Sequence, residues 1–298
     1  MSVSFSSNVK SELCRGEIGK KCCAQAEAYG VLLYCNTFTA HGVKIVTEHA
    51  DFAARLPMLF RRAFGVSFDE TPEPQTGGKL VLRITERERI LPILRAFGMR
   101  DGGEPVLHLN RGVLEKPCCE ASFLRGAFLA GGSVTDPEKR YHLELTTPHL
   151  KVCAETYSLL LDMGFSPRDM RRGATALIYF KQSDQVEDFL TAAGAPVSAM
   201  ELMEAKVEKE MRNKVNRRVN CDDANLNKTL DAAQEQLAAI RKLRERGRFD
   251  ELPQQLRETA LAREEDDTAS MAELAELLGV TKSAVNHRMR KLLDLAGN

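Results

Sequence analysis

The amino-acid sequence predicts an α+β protein in which a duplicated N-terminal domain precedes an all-helical C-terminal domain. Two observations support this. A series of alternating helix and strand patterns occurs twice, and the chain beyond residue 197 shows helical periodicity alone. We place the N-terminal domain at residues 1–196, with repeats at about 20–100 and 116–196, and the C-terminal domain at residues 197–298.

The duplication begins with a helix pattern at Cys22-Cys23, which returns 96 residues later at Cys118-Cys119. The strand pattern Lys79 to Ile84 pairs at the same offset with Thr175 to Phe180. Between these ends, each half holds one more strand and one more helix, at 43–47 and 56–64 and at 141–147 and 150–163. The closing helix also repeats, with Ile90, Leu94 and Gly98 falling on Val186, Leu190 and Gly194. Each repeat is therefore predicted to read helix, hairpin, helix, hairpin, helix.

The leading helix of the second repeat, Leu124-Arg-Gly-Ala-Phe-Leu-Ala-Gly-Gly-Ser133, resembles the LAGLIDADG motif of homing endonucleases. In that family the two motif helices meet through glycines, because a residue without Cβ lets two backbones approach closely. The resemblance gives this place to Gly30 and Gly126. The sequence thus predicts a duplicated, LAGLIDADG-like fold for the N-terminal domain.

The same resemblance predicts that this domain does not cut DNA. The nucleases hold Mg²⁺ with an acidic residue just before the last glycine of each motif. This chain has Cys35 and Gly131 there, and the family's other acidic position reads Leu33 and Leu129. We therefore expect no catalytic residues, no enzyme activity and a scaffold compatible with DNA binding.

Two alternatives to this interpretation stay open. Asp136 and Glu48 lie past the ends of the motif helices, a position that favours ordinary surface carboxylates. If they instead bound Mg²⁺, the protein would be a residual Mg²⁺-dependent nuclease, which is the competing enzyme hypothesis. The N-terminal domain could also serve as a protein-interaction platform. Its predicted strands carry too few basic residues to decide, namely Lys44, Lys79, Arg83, Lys139 and Arg140.

Composition predicts a cytoplasmic protein without a membrane segment. The 298 residues are 43% hydrophobic, which is enough for two cores, and neither a membrane-spanning run nor a signal-peptide pattern occurs. The chain has eight cysteines but no Cys-x-x-Cys pair, and its six histidines include no His-Glu-x-x-His. Adjacent cysteines such as Cys22-Cys23 should point to different sides of a helix. The sequence therefore predicts free structural thiols, no metal site and no cofactor.

Charge is unevenly distributed along a chain whose net charge is zero. From Lys206 to Arg248 there are twelve basic and seven acidic residues, and from Asp250 to Glu276 two basic and nine acidic. The stretch from Thr281 to Lys291 has basic residues and no acid. Such segregation indicates separate surfaces for separate partners, although solvated helix faces explain the first stretch as well.

The C-terminal segment has the pattern of a helix-turn-helix. Ser270 and Glu273 form a capping box, before an apolar stripe that continues to Leu278. Gly279 is predicted to break the helix, and Thr281 to cap a second one. Small Ala275 at the crossing, with Val280 and Val285, fits two helices meeting at a steep angle. The second helix repeats its apolar residues at Val285, Met289 and Leu292.

The other face of that second helix is the predicted DNA-reading surface. Its side chains are donors and acceptors suited to base edges and phosphates in a major groove. The candidate DNA-binding residues are Thr281, Lys282, Ser283, Asn286, His287, Arg290 and Lys291. A generic helical hairpin would explain the apolar pattern but would not require an acid-free polar face.

A helical region should connect the two domains, with a boundary near Ala195 to Ser198. Asp222 or Asp223 is predicted to cap a long helix with apolar positions from Leu226 to Ile240, and a shorter helix at 252–260 should pack on the helix-turn-helix. Phosphate contacts and a solvated helix face explain four basic residues of the region equally well: Arg212, Lys214, Arg217 and Arg218.

Taken together, the modules resemble the WhiA family of bacterial DNA-binding proteins over nearly the whole chain. The supporting segments are Ser4 to Leu13, Leu124 to Ser133, Asn216 to Asn225 and Met271 to Val280. The resemblance implies a regulator of cell division, chromosome segregation or sporulation-type transcription, associated with the nucleoid. It implies double-stranded DNA as a partner, and an RNA polymerase sigma factor or a WhiB-like iron–sulfur protein as protein partners.

Overall fold

The computed structural model describes residues 3–72, 78–99 and 106–297. Contacts divide the chain into two compact units, Met1–Lys209 and Glu210–Asn298. The division falls inside a long helix, whereas the sequence placed the boundary at residue 196, where that helix begins. Each unit has its own hydrophobic core.

The N-terminal unit contains both predicted repeats. A helix α1 (Phe5–Arg15) precedes them. The first repeat consists of α2 (Lys21–Tyr34), β1 (Thr37–Thr39), β2 (Gly42–Thr47), α3 (Ala50–Phe64), β3 (Leu80–Ile84) and α4 (Arg87–Ala96). The second consists of α5 (Pro117–Gly131), β4 (Gly132–Val134), β5 (Leu143–Thr147), α6 (Leu150–Asp162), β6 (Arg168–Arg172), β7 (Thr175–Phe180) and α7 (Ser183–Ala193).

The two repeats differ in their second hairpin. The second repeat forms it fully, from β6 and β7. In the described part of the first repeat, β3 has only an isolated bridge between Glu70 and Arg83 in place of a partner strand. The rest of that predicted hairpin, residues 73–77, lies outside the described residues. The sheets are accordingly β1-β2-β3 and β4-β5-β7-β6, with antiparallel neighbours.

Strand residues alternate between the core and the outer face of each sheet, as the two-residue period requires. In β3, Leu80, Leu82 and Ile84 are buried while Val81 and Arg83 are only partly covered. Strand β5 shows the same alternation, with Leu143 and Leu145 inside. One face of each sheet therefore packs on the core, and the other is available for contacts.

The motif helices α2 and α5 form the centre of the N-terminal core and meet at their glycines, as predicted. A Cβ added to Gly126 would overlap the carbonyl oxygen of Glu27, and one added to Gly30 would overlap that of Phe123. Because both sites face backbone atoms, no side-chain rotation could make room. The close crossing thus depends on both glycines.

A buried ion pair braces this crossing on the first-repeat side. Arg55 donates from Nε and Nη2 to the two carboxylate oxygens of Glu27, at 2.6 and 3.0 Å, and both side chains are at most 3% exposed. The remaining Arg55 nitrogen, Nη1, donates to the carbonyl oxygens of Cys14 and Gly16. Such complete pairing is what a charged pair needs in a core.

The helix that links the units, α8 (Pro196–Glu245), is continuous. Its first N–H groups, at Val197 and Ser198, donate to the carboxylate of Glu12. The prediction that Asp222 or Asp223 starts a new helix is wrong. No glycine or proline occurs between residues 197 and 245, so nothing breaks the helical hydrogen bonds. Leu226, expected in the apolar stripe, is exposed.

The C-terminal unit contains the end of α8 and three further helices. These are α9 (Gln254–Glu265), α10 (Met271–Leu277) and α11 (Lys282–Gly297). Helix α9 packs against α10 and α11, as predicted from its leucines. Arg263 of α9 is 1% exposed and binds Gln236 of α8 and the carbonyl oxygen of Ala269, which ties these helices to the turn before α10.

Candidate nucleic-acid interface

Helices α10 and α11 form the predicted helix-turn-helix. The capping box is present, with the Glu273 carboxylate accepting from the Ser270 N–H and the Ser270 hydroxyl accepting from the Glu273 N–H. Gly279 adopts the left-handed conformation with φ 63°, which a residue with a Cβ rarely takes. The Thr281 hydroxyl then caps α11 by accepting from the Ala284 N–H at 3.2 Å.

The apolar face of α11 is the one that packs on its neighbours. Val285, Met289 and Leu292 are at most 1% exposed, and Leu274 and Ala275 of α10 are buried opposite them. This burial fixes the rotation of α11 about its axis. Its other face must therefore point to solvent.

The candidate DNA-reading residues are Thr281, which caps α11, and six residues of the helix itself. The structure places all seven at exposed positions: Thr281, Lys282, Ser283, Asn286, His287, Arg290 and Lys291. The stretch they span contains no acidic residue, so the surface offers hydrogen-bonding groups and positive charge without a repelling carboxylate. Arg288 is separate from this set, because it is half-buried and reaches toward the Thr259 hydroxyl of α9.

The four basic residues of α8 do not all share one side of the helix. All four are exposed. Lys214 lies three residues before Arg217 and four before Arg218, so these three are helix-surface neighbours. Arg212 lies two residues before Lys214 and faces elsewhere. Lys214, Arg217 and Arg218 therefore form a basic side of α8, and Arg212 does not belong to it.

A basic groove on the sheet of the second repeat was not predicted from the sequence. Its volume is about 660 Å³. Five cationic side chains line it, and no acidic residue is among its described lining: Lys139, Arg140, Arg172, Lys181 and Lys209. Two of the cations lie against aromatic rings, with Lys209 Nζ 5.4 Å from the Tyr141 centroid and Lys181 Nζ 5.3 Å from that of Tyr179. Positive charge with aromatic faces suits a nucleic-acid backbone and its bases.

Only Lys139 and Arg140 of this groove were considered from sequence, because the other members are far apart along the chain. A detectable signal did exist: β6 reads Arg168-Asp-Met-Arg-Arg172 and is exposed at every position. An edge strand with that composition has no apolar face to bury. Strands are predicted from the alternation of polar and apolar residues, which is typical of half-buried strands. Because β6 lacks that alternation, the pattern did not identify it.

The corresponding face of the first repeat is less basic. Lys44 and Arg83 are paired neighbours on β2 and β3. The Arg83 guanidinium is bound by Glu70 at 2.9 Å, and both side chains are substantially exposed. Since Glu70 already supplies a counter-charge to Arg83, this face presents less positive charge than the groove of the second repeat.

The C-terminal ends of the motif helices hold Cys35 and Gly131, at the positions that the motif resemblance gives to the nuclease carboxylates. Cys35 is buried and its thiol donates to the carbonyl oxygens of Leu32 and Thr37, at 3.2 and 3.3 Å. Burial raises the pKa of this thiol to about 12. A Cβ at Gly131 would lie 2.5 Å from the Thr146 carbonyl oxygen. A carboxylate at residue 131 would not fit without a rearrangement.

A lysine lies beside the C-terminal end of α5. Lys10 of α1 donates from Nζ to the Leu129 carbonyl oxygen at 3.1 Å, near the end of α5. Burial lowers the pKa of its ammonium to about 8. Both Lys10 and Lys79 line the adjoining cavity, where Glu48 is the acidic residue among the described lining. Asp136 instead caps a turn by accepting from the Glu138 N–H.

The cysteines at the opposite ends of the motif helices correct one sequence argument. The sequence predicts that adjacent cysteines point to different sides of a helix, which makes joint ligation of one metal awkward. In the structure the Sγ atoms of Cys22, Cys23 and Cys119 all lie within 4.8 Å of one another. The reason is tertiary, because the crossing of α2 and α5 places the second helix between the two thiols of the first.

In the part of the chain that the structure describes, none of the helices has the length and hydropathy of a membrane span.

Two family models match the chain. One is described as the WhiA LAGLIDADG-like domain and matches residues 120–212, which is mainly the second repeat. The other is described as the WhiA C-terminal HTH domain and matches residues 215–296. The two matches meet within α8, close to the division between the compact units.

Curated relatives match over the full length. The chain is 39% identical to "Probable cell division protein WhiA" of Ruminiclostridium cellulolyticum, covering 99% of this chain and 97% of the relative. It is 34% identical to the protein of the same name from Alkaliphilus metalliredigens, covering 99% and 98%. The crystal structure of full-length DUF199/WhiA from Thermatoga maritima shares the fold, with a TM-score of 0.61 and 24% identity over 99% and 98% of the two chains. A LAGLIDADG-like domain joined to a helix-turn-helix domain, with these full-length relatives, shows that the chain belongs to the WhiA family.

Proposed function

We propose that this protein is a sequence-specific DNA-binding regulator that reads its site with α11. The observation that carries the proposal is the exposed surface of α11, where six polar and basic residues and the cap Thr281 occur on a helix whose rotation is fixed by burial. Recognition helices of this kind enter the major groove with their first turns. Lys282, Ser283 and Asn286 lie in those turns.

The basic groove of the N-terminal unit supports a second, non-specific contact. Its five cations can neutralise phosphates, and Tyr141 and Tyr179 offer apolar faces. Phosphate contacts set overall affinity, whereas base contacts set sequence preference. We therefore assign selection of the site to the C-terminal unit and added affinity to the N-terminal one. The basic side of α8, Lys214, Arg217 and Arg218, belongs with the second group.

The proposal includes the absence of nuclease activity. Cleavage of the homing-endonuclease type needs carboxylates at the ends of both motif helices. Here the Cys35 thiol is buried with a raised pKa, and the position of Gly131 has no room for a carboxylate. Lys10 places a cation beside the end of α5. These features favour a binding role for the scaffold.

The names of the relatives suggest the process that the protein serves. They are called probable cell division proteins. We propose that this chain also acts in cell division, through DNA at the nucleoid, with roles in chromosome segregation or sporulation-type transcription as narrower forms of the proposal. A sigma factor or a WhiB-like iron–sulfur protein would be its protein partner in transcription.

The main test separates base reading from phosphate contact. Bound genomic fragments would first be selected from the organism that encodes the protein, to define a preferred site. Asn286→Ala should weaken binding to that site by about 1–3 kcal/mol and leave random DNA nearly unaffected, because an amide reads a base through paired hydrogen bonds. Arg290→Ala should weaken binding to all sequences and reduce the salt slope by about 1. Fluorescence anisotropy across a salt series measures both quantities.

Folding controls are straightforward, because neither residue belongs to the buried stripe of α11. Both variants should melt with the parent protein, and Glu276→Gln, an exposed change on α10, should match the parent in both assays. Normal binding by a folded Lys282→Ala, Asn286→Ala, Arg290→Ala triple variant would refute the proposal for α11.

Nuclease activity has its own test. The purified protein should leave supercoiled plasmid intact with Mg²⁺ or Mn²⁺ over hours. Metal-dependent cleavage that Glu48→Gln or Asp136→Asn abolishes would contradict the binding-only role and support the enzyme hypothesis. A protein that neither cuts nor binds DNA would point instead to the N-terminal unit as a protein-interaction platform.

A further inference from the structure

Four cysteines come together where the motif helices begin. They are two adjacent pairs, Cys22-Cys23 at the start of α2 and Cys118-Cys119 at the start of α5. The thiols of Cys22, Cys23 and Cys119 lie within 4.8 Å of one another, and the Cys23 and Cys118 sulfurs are 3.5 Å apart. The remaining cysteines of the described chain take no part in this group.

The arrangement follows the internal symmetry of the N-terminal unit. The offset of 96 residues relates Cys22 to Cys118 and Cys23 to Cys119. This offset relates the contact between Cys23 and Cys118 to an equivalent one between Cys119 and Cys22. The Cys22 and Cys119 sulfurs do lie within 4.8 Å of each other. Each cross-helix contact is thus the symmetry equivalent of the other. Four thiols related in this way can contribute equally to one central site.

The spacing of the sulfurs suits a single thiophilic metal ion. Four sulfurs held about 2.3 Å from a tetrahedral Zn²⁺ lie about 3.8 Å from one another. The observed separation of 3.5 Å between Cys23 and Cys118 is close to this value. Cys118 is exposed, and a rotation about its Cα–Cβ bond can turn its sulfur toward the other three.

Positive charge surrounds the beginnings of the two motif helices. Both helices begin here, neither has a side-chain cap, and each start carries the partial positive charge of a helix N-terminus. The preceding residues, Lys20 and Lys116, are basic. Two converging positive helix ends are stabilised by an anionic group between them.

We propose that Cys22, Cys23, Cys118 and Cys119 form a tetrahedral thiolate site for a thiophilic divalent metal ion, with Zn²⁺ as the expected occupant. Binding replaces the protons of the four thiols with bonds to the metal, and those protons pass to solvent. The four thiolates and the ion together carry a net negative charge, which the helix ends and lysines offset. The metal ties the beginnings of the two repeats together. The sequence predicts free structural thiols instead, and the experiment below distinguishes the two.

The test uses the full-length chain, reduced, freed of metal with a chelator and titrated with Co²⁺. Tetrahedral cobalt thiolate sites absorb visible light, and thiolate-to-metal charge transfer reports the number of sulfur ligands. We expect one equivalent to bind with a four-sulfur spectrum and to be displaced by Zn²⁺, since soft thiolates select zinc. Zn²⁺ should also raise the melting temperature in a concentration-dependent manner.

Serine substitutions locate the site. Cys22→Ser and Cys118→Ser should each change the Co²⁺ spectrum to that of three sulfur ligands. Each should also lower Co²⁺ affinity by more than ~100-fold, because loss of a residue that only hydrogen-bonds to a metal ligand already costs ~10–100-fold. Both positions are partly or fully accessible, so the proteins should fold; circular dichroism checks this. Cys221→Ser, at an exposed cysteine of α8, is the matched control and should bind like the parent.

Three results would overturn the proposal. The first is the absence of a thiolate spectrum in the reduced parent, and the second is equal metal binding by the Cys22 and Cys221 variants. The third is a parent protein that purifies with disulfides between the two helices and binds no metal after these are reduced. Because no DNA is present in the assay, failure here would leave the proposed DNA binding untouched. Failure of the DNA-binding test would likewise leave the metal site standing.

Discussion

The two repeats of the N-terminal unit share their central helices but differ in the sheets. Helices α2 and α5 cross at equivalent glycines and begin with equivalent cysteine pairs. In contrast, the second repeat has a four-stranded sheet with a basic groove, whereas the described sheet of the first has three strands and an Arg83 bound by Glu70. The comparison shows that the two copies keep equivalent glycines and cysteines at the crossing of their central helices. Where the copies face outward, each surface is free to change.

A second asymmetry lies within the core itself. Glu27 of α2 forms the buried pair with Arg55, while the residue 96 positions later is Phe123, also buried. The same place in the two repeats thus holds a charged group on one side and an aromatic ring on the other. Substitutions in the two repeats can measure how far the structural symmetry is matched by symmetry in stability.

The largest expected effect is at the helix crossing. Gly126→Ala should cost about 5 kcal/mol or more of unfolding free energy, because the new Cβ overlaps the Glu27 carbonyl oxygen and the backbone cannot move aside without a large cost. Gly30→Ala should behave alike if the crossing is symmetric. Urea denaturation measures both.

The control for the crossing is Gly16→Ala. A Cβ there would meet the Leu13 carbonyl oxygen at 3.4 Å, an ordinary contact, so the change should stay within about 0.5 kcal/mol. Parent-like stability of the Gly126 variant would show that the helices are farther apart than described.

The buried ion pair should give the next largest effect and break the symmetry. Glu27→Gln leaves the Arg55 guanidinium buried without its carboxylate and should cost about 3–5 kcal/mol. Glu70→Gln removes the partner of Arg83 in an exposed pair and should cost less than about 1 kcal/mol. Both are measured by thermal and urea unfolding.

A double replacement sharpens this result. Glu27→Met with Arg55→Met should recover much of the stability lost in Glu27→Gln, because a hydrophobic pair needs no charge compensation. If the double variant were no more stable than the single one, the important interactions would be the hydrogen bonds of Arg55 to Cys14 and Gly16 and the pair of Glu27 with Arg125 at 3.5 Å.

The smallest effect concerns the two sheets and is measured on DNA binding. Arg172→Ala with Lys181→Ala should reduce the salt slope for random duplex DNA by about 2, since each phosphate contact contributes about 0.9. Lys44→Ala with Arg83→Ala should change the slope by less than about 1, because Glu70 already neutralises Arg83. Equal reductions by the two pairs would mean that both sheets contact DNA alike.

Local sequence patterns were enough to predict most elements. The capping box of Ser270 and Glu273, the left-handed Gly279 and the buried stripe of α11 are confirmed, because caps, turns and periodicity depend on residues a few positions apart. The repeat offset also correctly paired the strands and the closing helices. Local patterns failed at Asp222, where two aspartates resembled a helix start although the surrounding residues continue the helix.

The sequence by itself determined the family, the two kinds of domain, the absence of a carboxylate at Cys35 and Gly131, and which face of α11 is apolar. Residue identity and short-range spacing carry this information. The tertiary structure alone decided that Cys22 and Cys23 meet Cys118 and Cys119, and that Arg172 and Lys181 join Lys139 in one groove. These groups form because the helix crossing and the pairing of β5, β6 and β7 bring distant residues together. No local pattern encodes such distances.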